Sequence, residues 1–217
     1  MDVGAGDPWL GLDTEKKTLG ATERDEAQRR AFRERVAAQS AADFVIVDET
    51  GSNLNLTPRY ARAPRGQRAH AHIPRNTPPN TTLIAAMTTT GMGAAMVVDG
   101  ATDTAAFEVY VEHFLVPALM PGTVVVLDNL SAHKSQRVPA LIAGAGCEVW
   151  YLPPYSPDLS PIEEAFSKLK TLLRQAAART KEALLDAIGW ALGQITSSDA
   201  QGYFTHCGYL MPVPTDQ

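Results

Sequence analysis

The chain has 217 residues, 45% of them hydrophobic and 20% charged, and a formal net charge of −5. This is ordinary globular composition, with length enough for one full core, so wholesale disorder is excluded. No run of about 18 apolar residues is present to span a bilayer. The charged first 30 residues lack the apolar stretch of a signal peptide, so a soluble, cytoplasmic protein with no membrane partner is expected. Cys147 and Cys207 lie far apart without Cys-x-x-Cys spacing, which predicts reduced thiols rather than a disulfide or a zinc site.

Net acidity hides an asymmetry. Positions 51–98 contain no Asp or Glu, yet Arg59, Arg62, Arg65, Arg68 and Arg75 all fall there, with His70 and His72. Lys168, Lys170, Arg174, Arg179 and Lys181 form a second cationic cluster. A charge run is usually a solvated face, but so long a stretch without an acid also suits contact with a phosphate backbone.

Residues 1–20 are Gly-rich and aperiodic, and 22–38 predict a charge-mixed surface helix that adds nothing to the core; together, 1–40 is expected to be a leader. Phe44-Val45-Ile46-Val47, ending in Asp48, predicts a buried central strand. Further strands are expected at 53–57, after the Pro64-Arg65-Gly66 turn, and as a pair at 82–88 and 93–98 across Gly91. Thr102 or Asp103 can cap a helix whose apolar positions Phe107, Tyr110, Val111, Phe114 and Leu115 fall on one stripe. Val124-Val125-Val126-Leu127 then runs into Asp128, followed by a helix over 134–143 and a strand over 147–152. A Pro-rich loop leads to a helix over 161–177, and a last helix carries Leu184, Ile188, Ala191 and Ile195, with Trp150 and Trp190 in the core. Strands first, then alternating helix and strand, is the order of an α/β ribonuclease H-like domain, a mixed sheet flanked by helices, here over 41–210 with a tail at 211–217.

Asp48 and Asp128 each close a hydrophobic strand run, where α/β sheets open onto a ligand crevice. Glu163, on the first turn after the Pro-rich loop, can face the same crevice. Three carboxylates with open positions suit Mg²⁺, with Mn²⁺ as substitute. Each acid also has a plain structural role open to it. A strand-end Asp can form a turn or cap; Ser160-Pro161-Ile162-Glu163 matches a capping box with Pro at the first helical position; and Glu164 competes with Glu163 by proximity. Asn129 and His133 can orient water or touch a phosphate, or simply lead into a helix. Lys168 can follow DNA or solubilise its helix.

Three blocks together resemble the catalytic segments of mariner-superfamily transposases, in particular the bacterial insertion-sequence-630 family. They are Val47-Asp48-Glu49-Thr50, Leu127-Asp128-Asn129 followed by His133-Lys134, and Leu152-Pro153-Pro154-Tyr155-Ser156-Pro157-Asp158-Leu159-Ser160-Pro161-Ile162-Glu163. The 34 residues between Asp128 and Glu163 match that family's spacing. The likeness runs over 16–209, through Tyr60-Ala61-Arg62-Ala63-Pro64-Arg65-Gly66 to His206-Cys207-Gly208-Tyr209, with Ser160 in place of a usual Asn and Phe166 in place of a frequent Trp. It implies a divalent metal held by Asp48, Asp128 and Glu163, and cut-and-paste movement of double-stranded DNA, both transposon ends and target. DNA contacts would come from Arg59, Arg62, Arg65, Arg68, Asn129, His133, Lys134 and Lys168. A homodimer on DNA is expected. Full-length relatives read their ends with helix-turn-helix modules; none is expected here, which leaves a separate subunit to supply one. The alternative is a catalytically idle remnant that binds DNA or a partner. A phosphatase using Asp48 as nucleophile would want an acid where Thr50 stands.

Overall fold

A computed structural model of the chain describes residues 21–58, 60–76, 78–129 and 135–212. The strand beginning at Phe44 outruns its apolar core: β1 covers Phe44–Ser52, so Asp48 lies inside it rather than past its end. β2 (Thr81–Thr88) and β3 (Gly91–Asp99) form the expected hairpin. It turns at Gly91, whose φ of +129° is a conformation L side chains rarely adopt. α2 (Thr104–Tyr110) starts where Asp103 accepts the Ala106 N–H at 2.8 Å. It then widens into π-helical turns over Val111–Leu115, so the 3.6-residue stripe breaks and Phe114 swings out to 41% exposure. β4 (Val124–Leu127), α3 (Arg137–Gly144), β5 (Glu148–Tyr151), α4 (Pro161–Ala176) and α5 (Lys181–Gly193) follow in the expected order.

The sheet order is β3-β2-β1-β4-β5, antiparallel between β1, β2 and β3 and parallel between β1, β4 and β5. Because alternate side chains point to opposite faces, Phe44, Ile46, Val124 and Val126 pack under α1 (Glu26–Ala37), α4, α5 and α6 (Ser197–His206). Val47, Val125 and Leu127 pack against α2 and α3 on the other face. This is the mixed, helix-flanked sheet of the ribonuclease H-like class. Among the described residues no helix is long and apolar enough to cross a membrane.

Four further expectations need correction. α1 is not a bare surface helix on a leader: it buries Phe32 and Val36 in the main core, with Phe32 edge-on to Trp150 at 6.5 Å. Each such side chain is worth roughly 1.5–3 kcal/mol relative to exposure. No strand forms at 53–57 or after the 64–66 turn; the described residues from 60 to 76 carry no helix or strand. Their prolines withhold ladder donors and their arginines offer no face to bury. Leu54 and Leu56 root this segment through their carbonyls, both hydrogen-bonded by Arg179 Nη1 at 3.1 and 2.9 Å. Trp190 is 53% exposed rather than core, whereas Trp150 is buried. Finally, Ile195 is buried beyond the end of α5, and that helix is not the last, since α6 follows with Thr196 and Asp199 forming a reciprocal capping box.

Candidate active site

The β1–β4 register brings the two aspartates together. Phe44, Val45 and Ile46 pair with Val124, Val125 and Val126 at a constant offset of 80 positions, the same offset that separates Asp48 from Asp128. This pairing ends at Ile46 and Val126, two positions before each aspartate, and both aspartates line the same cavity beyond that end of the ladder. Parity places both on the face shared by Phe44, Ile46, Val124 and Val126. α4 packs on that face through Ile162, Ala165, Phe166 and Leu169, which brings Glu163 on its first turn to the same side.

All three acids line one cavity of about 450 Å³, together with Asn129, Leu152, Pro153, Pro154, Tyr155, Ser156, Pro157 and Ser160. Asp48 and Asp128 are half-buried, and Glu163 is open to solvent. The Glu49 N–H donates to Asp48 Oδ1 at 2.7 Å and so fixes the orientation of that carboxyl. Glu164 faces elsewhere, into a groove with Lys168 and Tyr203, and lies 3.5 Å from His206 Nε2. The capping box does not form: Ser160 makes no side-chain cap, and its hydroxyl is buried at the cavity wall with no hydrogen-bond partner. The Glu163 N–H donates to the Ser160 carbonyl at 3.2 Å and the Ser160 N–H to the Pro157 carbonyl at 3.0 Å, so both capping-box donors are taken, and Glu163 lines the cavity.

Among the described residues, no three acid, histidine or cysteine side chains are gathered closely enough to form a ready-made cation cluster. The acids stand around the cavity instead. Such an open donor set fits Mg²⁺, which keeps several waters and binds through one or two carboxylates plus substrate phosphate. The described lining presents carboxylate, amide and hydroxyl oxygens and no thiol, as a hard cation requires.

The Pro-rich loop that forms one wall is held from both sides. Arg29, only 1% exposed, grips both carboxylate oxygens of Asp158 at 3.1 and 2.7 Å, and Arg24 adds a third bond at 2.7 Å. The Tyr209 hydroxyl donates to the Leu159 carbonyl at 3.2 Å. Sequence reading gives Arg29, Asp158 and Tyr209 no supporting role, although Asp158 and Tyr209 fall in the blocks that carry the family resemblance. Burial pushes the Asp158 carboxyl up, but the hydrogen bonds and charge of Arg29, with the charge of Arg24, outweigh it and hold it below the usual carboxylate range. Asp158→Ala should therefore cost about 2–3 kcal/mol in urea denaturation, less than the ~3–5 kcal/mol of a fully buried pair because the Asp158 side chain is 50% exposed. A group with a lowered folded pKa stabilises above its unfolded value of about 3.9 and loses that contribution as pH falls through the folded one. The Asp158→Ala penalty should thus be full at pH 7 and shrink below about pH 4; a penalty independent of pH would show that the charge plays no part.

The remaining candidates divide. Asn129 lines the cavity. Arg62, Arg65 and Arg68 are exposed on the segment before β2. Lys168 is held in a 2.6 Å ion pair with Asp199 and lines the groove of Glu164 and Tyr203, not the cavity of Glu163. Arg59, His133 and Lys134 lie outside the described residues. Cys147 and Cys207 are free and buried, as expected.

Residues 43–185 match the family model of the DDE superfamily endonucleases. No curated protein sequence matches the chain. Among solved structures, the fold is similar to that of a pre-cleavage Mos1 transpososome, with a TM-score of 0.69 at 15% identity over 92% of this chain. It is similar also to a mariner Mos1 paired-end complex with Mg, with a TM-score of 0.64 at 16% identity, covering 92% of this chain and 66% of that one. The catalytic domain of Mos1 mariner transposase gives 0.62 at 13% identity, over 88% of this chain and 93% of that domain. The chain thus spans 65% of the transpososome protein but nearly all of the isolated catalytic domain.

Proposed function

Since the chain belongs to the DDE superfamily of endonucleases, we propose that it is the catalytic unit of a transposase. It hydrolyses a phosphodiester at the end of a mobile element and then directs the freed 3′-hydroxyl onto target DNA. The observation that carries this reading is the convergence of Asp48, Asp128 and Glu163 on one cavity, from two adjacent strands and a helix packed across them. The Pro-Pro-Tyr-Ser-Pro-Asp-Leu-Ser-Pro-Ile-Glu block supports the bacterial insertion-sequence-630 branch, and with it the cytoplasm.

The three carboxylates would hold Mg²⁺, or Mn²⁺ in its place. When bound, the ion supplies Lewis acidity toward the phosphoryl oxygens and lowers the pKa of an attacking water or hydroxyl. Asp48, whose Oδ1 accepts the Glu49 N–H, lines the cavity. Glu163 enters from a helix anchored in the core, so its position follows the sheet. The Asn129 amide can donate to a non-bridging phosphate oxygen. Intact acids around one cavity give no support to the idle-remnant alternative. The decisive experiment is strand transfer of a 3′-hydroxyl oligonucleotide into plasmid DNA. It should require Mg²⁺ or Mn²⁺ and stop with chelator; product formed in chelator would overturn the reading.

Double-stranded DNA would be held through Arg62, Arg65 and Arg68, with Arg59, His133 and Lys134 as further contacts. Joining two ends calls for a homodimer on DNA, with a helix-turn-helix subunit reading the ends. Backbone contacts carry no base information, so the chain alone should bind DNA weakly and without sequence preference, with affinity falling steeply as salt rises. Neutralising Arg62, Arg65 and Arg68 together should flatten the slope of log K against log salt by about 0.9 for each phosphate that is no longer neutralised. An unchanged slope would assign these arginines to a solvated face.

A further inference from the structure

The Tyr155 backbone is left-handed, with φ of +54°. The other described non-glycine residue with positive φ, Ala177, ends α4 and is explained by that position. Tyr155 caps nothing. Its ring is 59% exposed at the rim of the cavity that holds the three acids. A large aromatic turned out to solvent is unfavourable by itself, and an unusual backbone conformation persists only where the surroundings impose it. Here they do. Pro154 and Pro157 restrict the chain on either side, the buried Ser156 hydroxyl donates to the Pro154 carbonyl at 3.0 Å across Tyr155, and Asp158 and Leu159 are clamped by Arg29 and Tyr209.

We infer that Tyr155 is a stacking platform for an unpaired nucleobase next to the phosphodiester that the acids cleave, a specificity-determining contact for the reaction proposed above, on which it rests. Tyr155 lines the cavity that the three acids also line, and Leu152, Pro153 and Pro154 give that cavity an apolar wall. A base inside a duplex has both faces covered by its neighbours, so an aromatic at this rim can be used only by a base drawn out of the stack. Stacking on an aromatic serves any base, so the contact selects for strand opening rather than for sequence.

The test uses the full chain and two single-stranded oligothymidylates of equal length, one intact and one abasic throughout, with binding measured by fluorescence anisotropy in Ca²⁺. The wild type should prefer the intact strand by roughly 5- to 150-fold per stacked base. Tyr155→Ala should lose that preference while binding the abasic strand as the wild type does, and Tyr155→Phe should keep it. Equal wild-type binding to both strands would overturn the inference, and so would Tyr155→Phe behaving like Tyr155→Ala, which would point to a hydroxyl contact. The proposed function is scored separately by Mg²⁺-dependent cleavage. Cleavage with no preference for the intact strand removes the stacking role alone, and a chain that neither binds nor cleaves DNA removes both.

Discussion

Asp48→Asn or Asp128→Asn should each abolish Mg²⁺-dependent DNA cleavage, with a loss of about 10³-fold or more and a fold left intact. Removing only an outer-shell partner of a metal ligand typically lowers affinity or activity ~10- to 100-fold, and either substitution removes a ligand charge directly. Asparagine has nearly the same shape, and its side-chain oxygen can still accept the Glu49 N–H that orients position 48. Both aspartates are half-buried at the rim of the cavity rather than in the core, so stability should stay within about 1 kcal/mol of the parent. Nicking of supercoiled plasmid gives the activity, and circular dichroism with a thermal melt checks the fold. Appreciable cleavage by either variant in Mg²⁺ would sink the assignment of that aspartate.

How much of the fold is legible in the sequence depends on the range of the interaction. β1, β4 and the hairpin are legible because each is a local apolar pattern with its own turn signals. The shared offset of Asp48 and Asp128 is legible too, since two equal strand runs ending in aspartate pair in register if they are neighbours. α1 misleads because its decisive contacts are remote: Arg29 looks like one more surface charge until it meets Asp158, 129 positions away. The π-helical turns at Val111–Leu115 follow from packing and leave no periodic trace, so the stripe puts Phe114 on the wrong face. Trp190 reads as core on residue type alone, although α5 turns it to solvent. α6 escapes despite a usable signal, since Thr196-Ser197-Ser198-Asp199 is a capping-box pattern that the structure realises. The same pattern at Ser160-Pro161-Ile162-Glu163 fails, because the Ser160 and Glu163 N–H groups are already bonded to backbone carbonyls, and the Glu163 carboxylate lines the cavity. Local signatures thus name candidates, and the tertiary setting decides between them.

At Glu163 that decision has a second large effect. Glu163→Gln should collapse cleavage about as far as the aspartate variants do, with thermal stability nearly unchanged, because Glu163 is solvent-open and makes no cap that glutamine would weaken. Glu164→Gln should remain active, since that side chain lies in a separate groove near His206. Ser160→Ala adds the control on stability. Were Ser160 an N-cap, its loss would cost ~0.5–2 kcal/mol. With its hydroxyl buried and unpartnered, removal should instead be neutral or stabilising by up to about 1 kcal/mol, since an unsatisfied buried polar group is itself unfavourable. All three acids survive in Ser160→Ala, so its metal-dependent cleavage should persist. Urea denaturation and plasmid nicking on the three variants separate the roles. A dead Glu164→Gln beside an active Glu163→Gln would move the third acid by one residue, and a clear loss of stability in Ser160→Ala would restore the cap and leave Glu163 free to serve it.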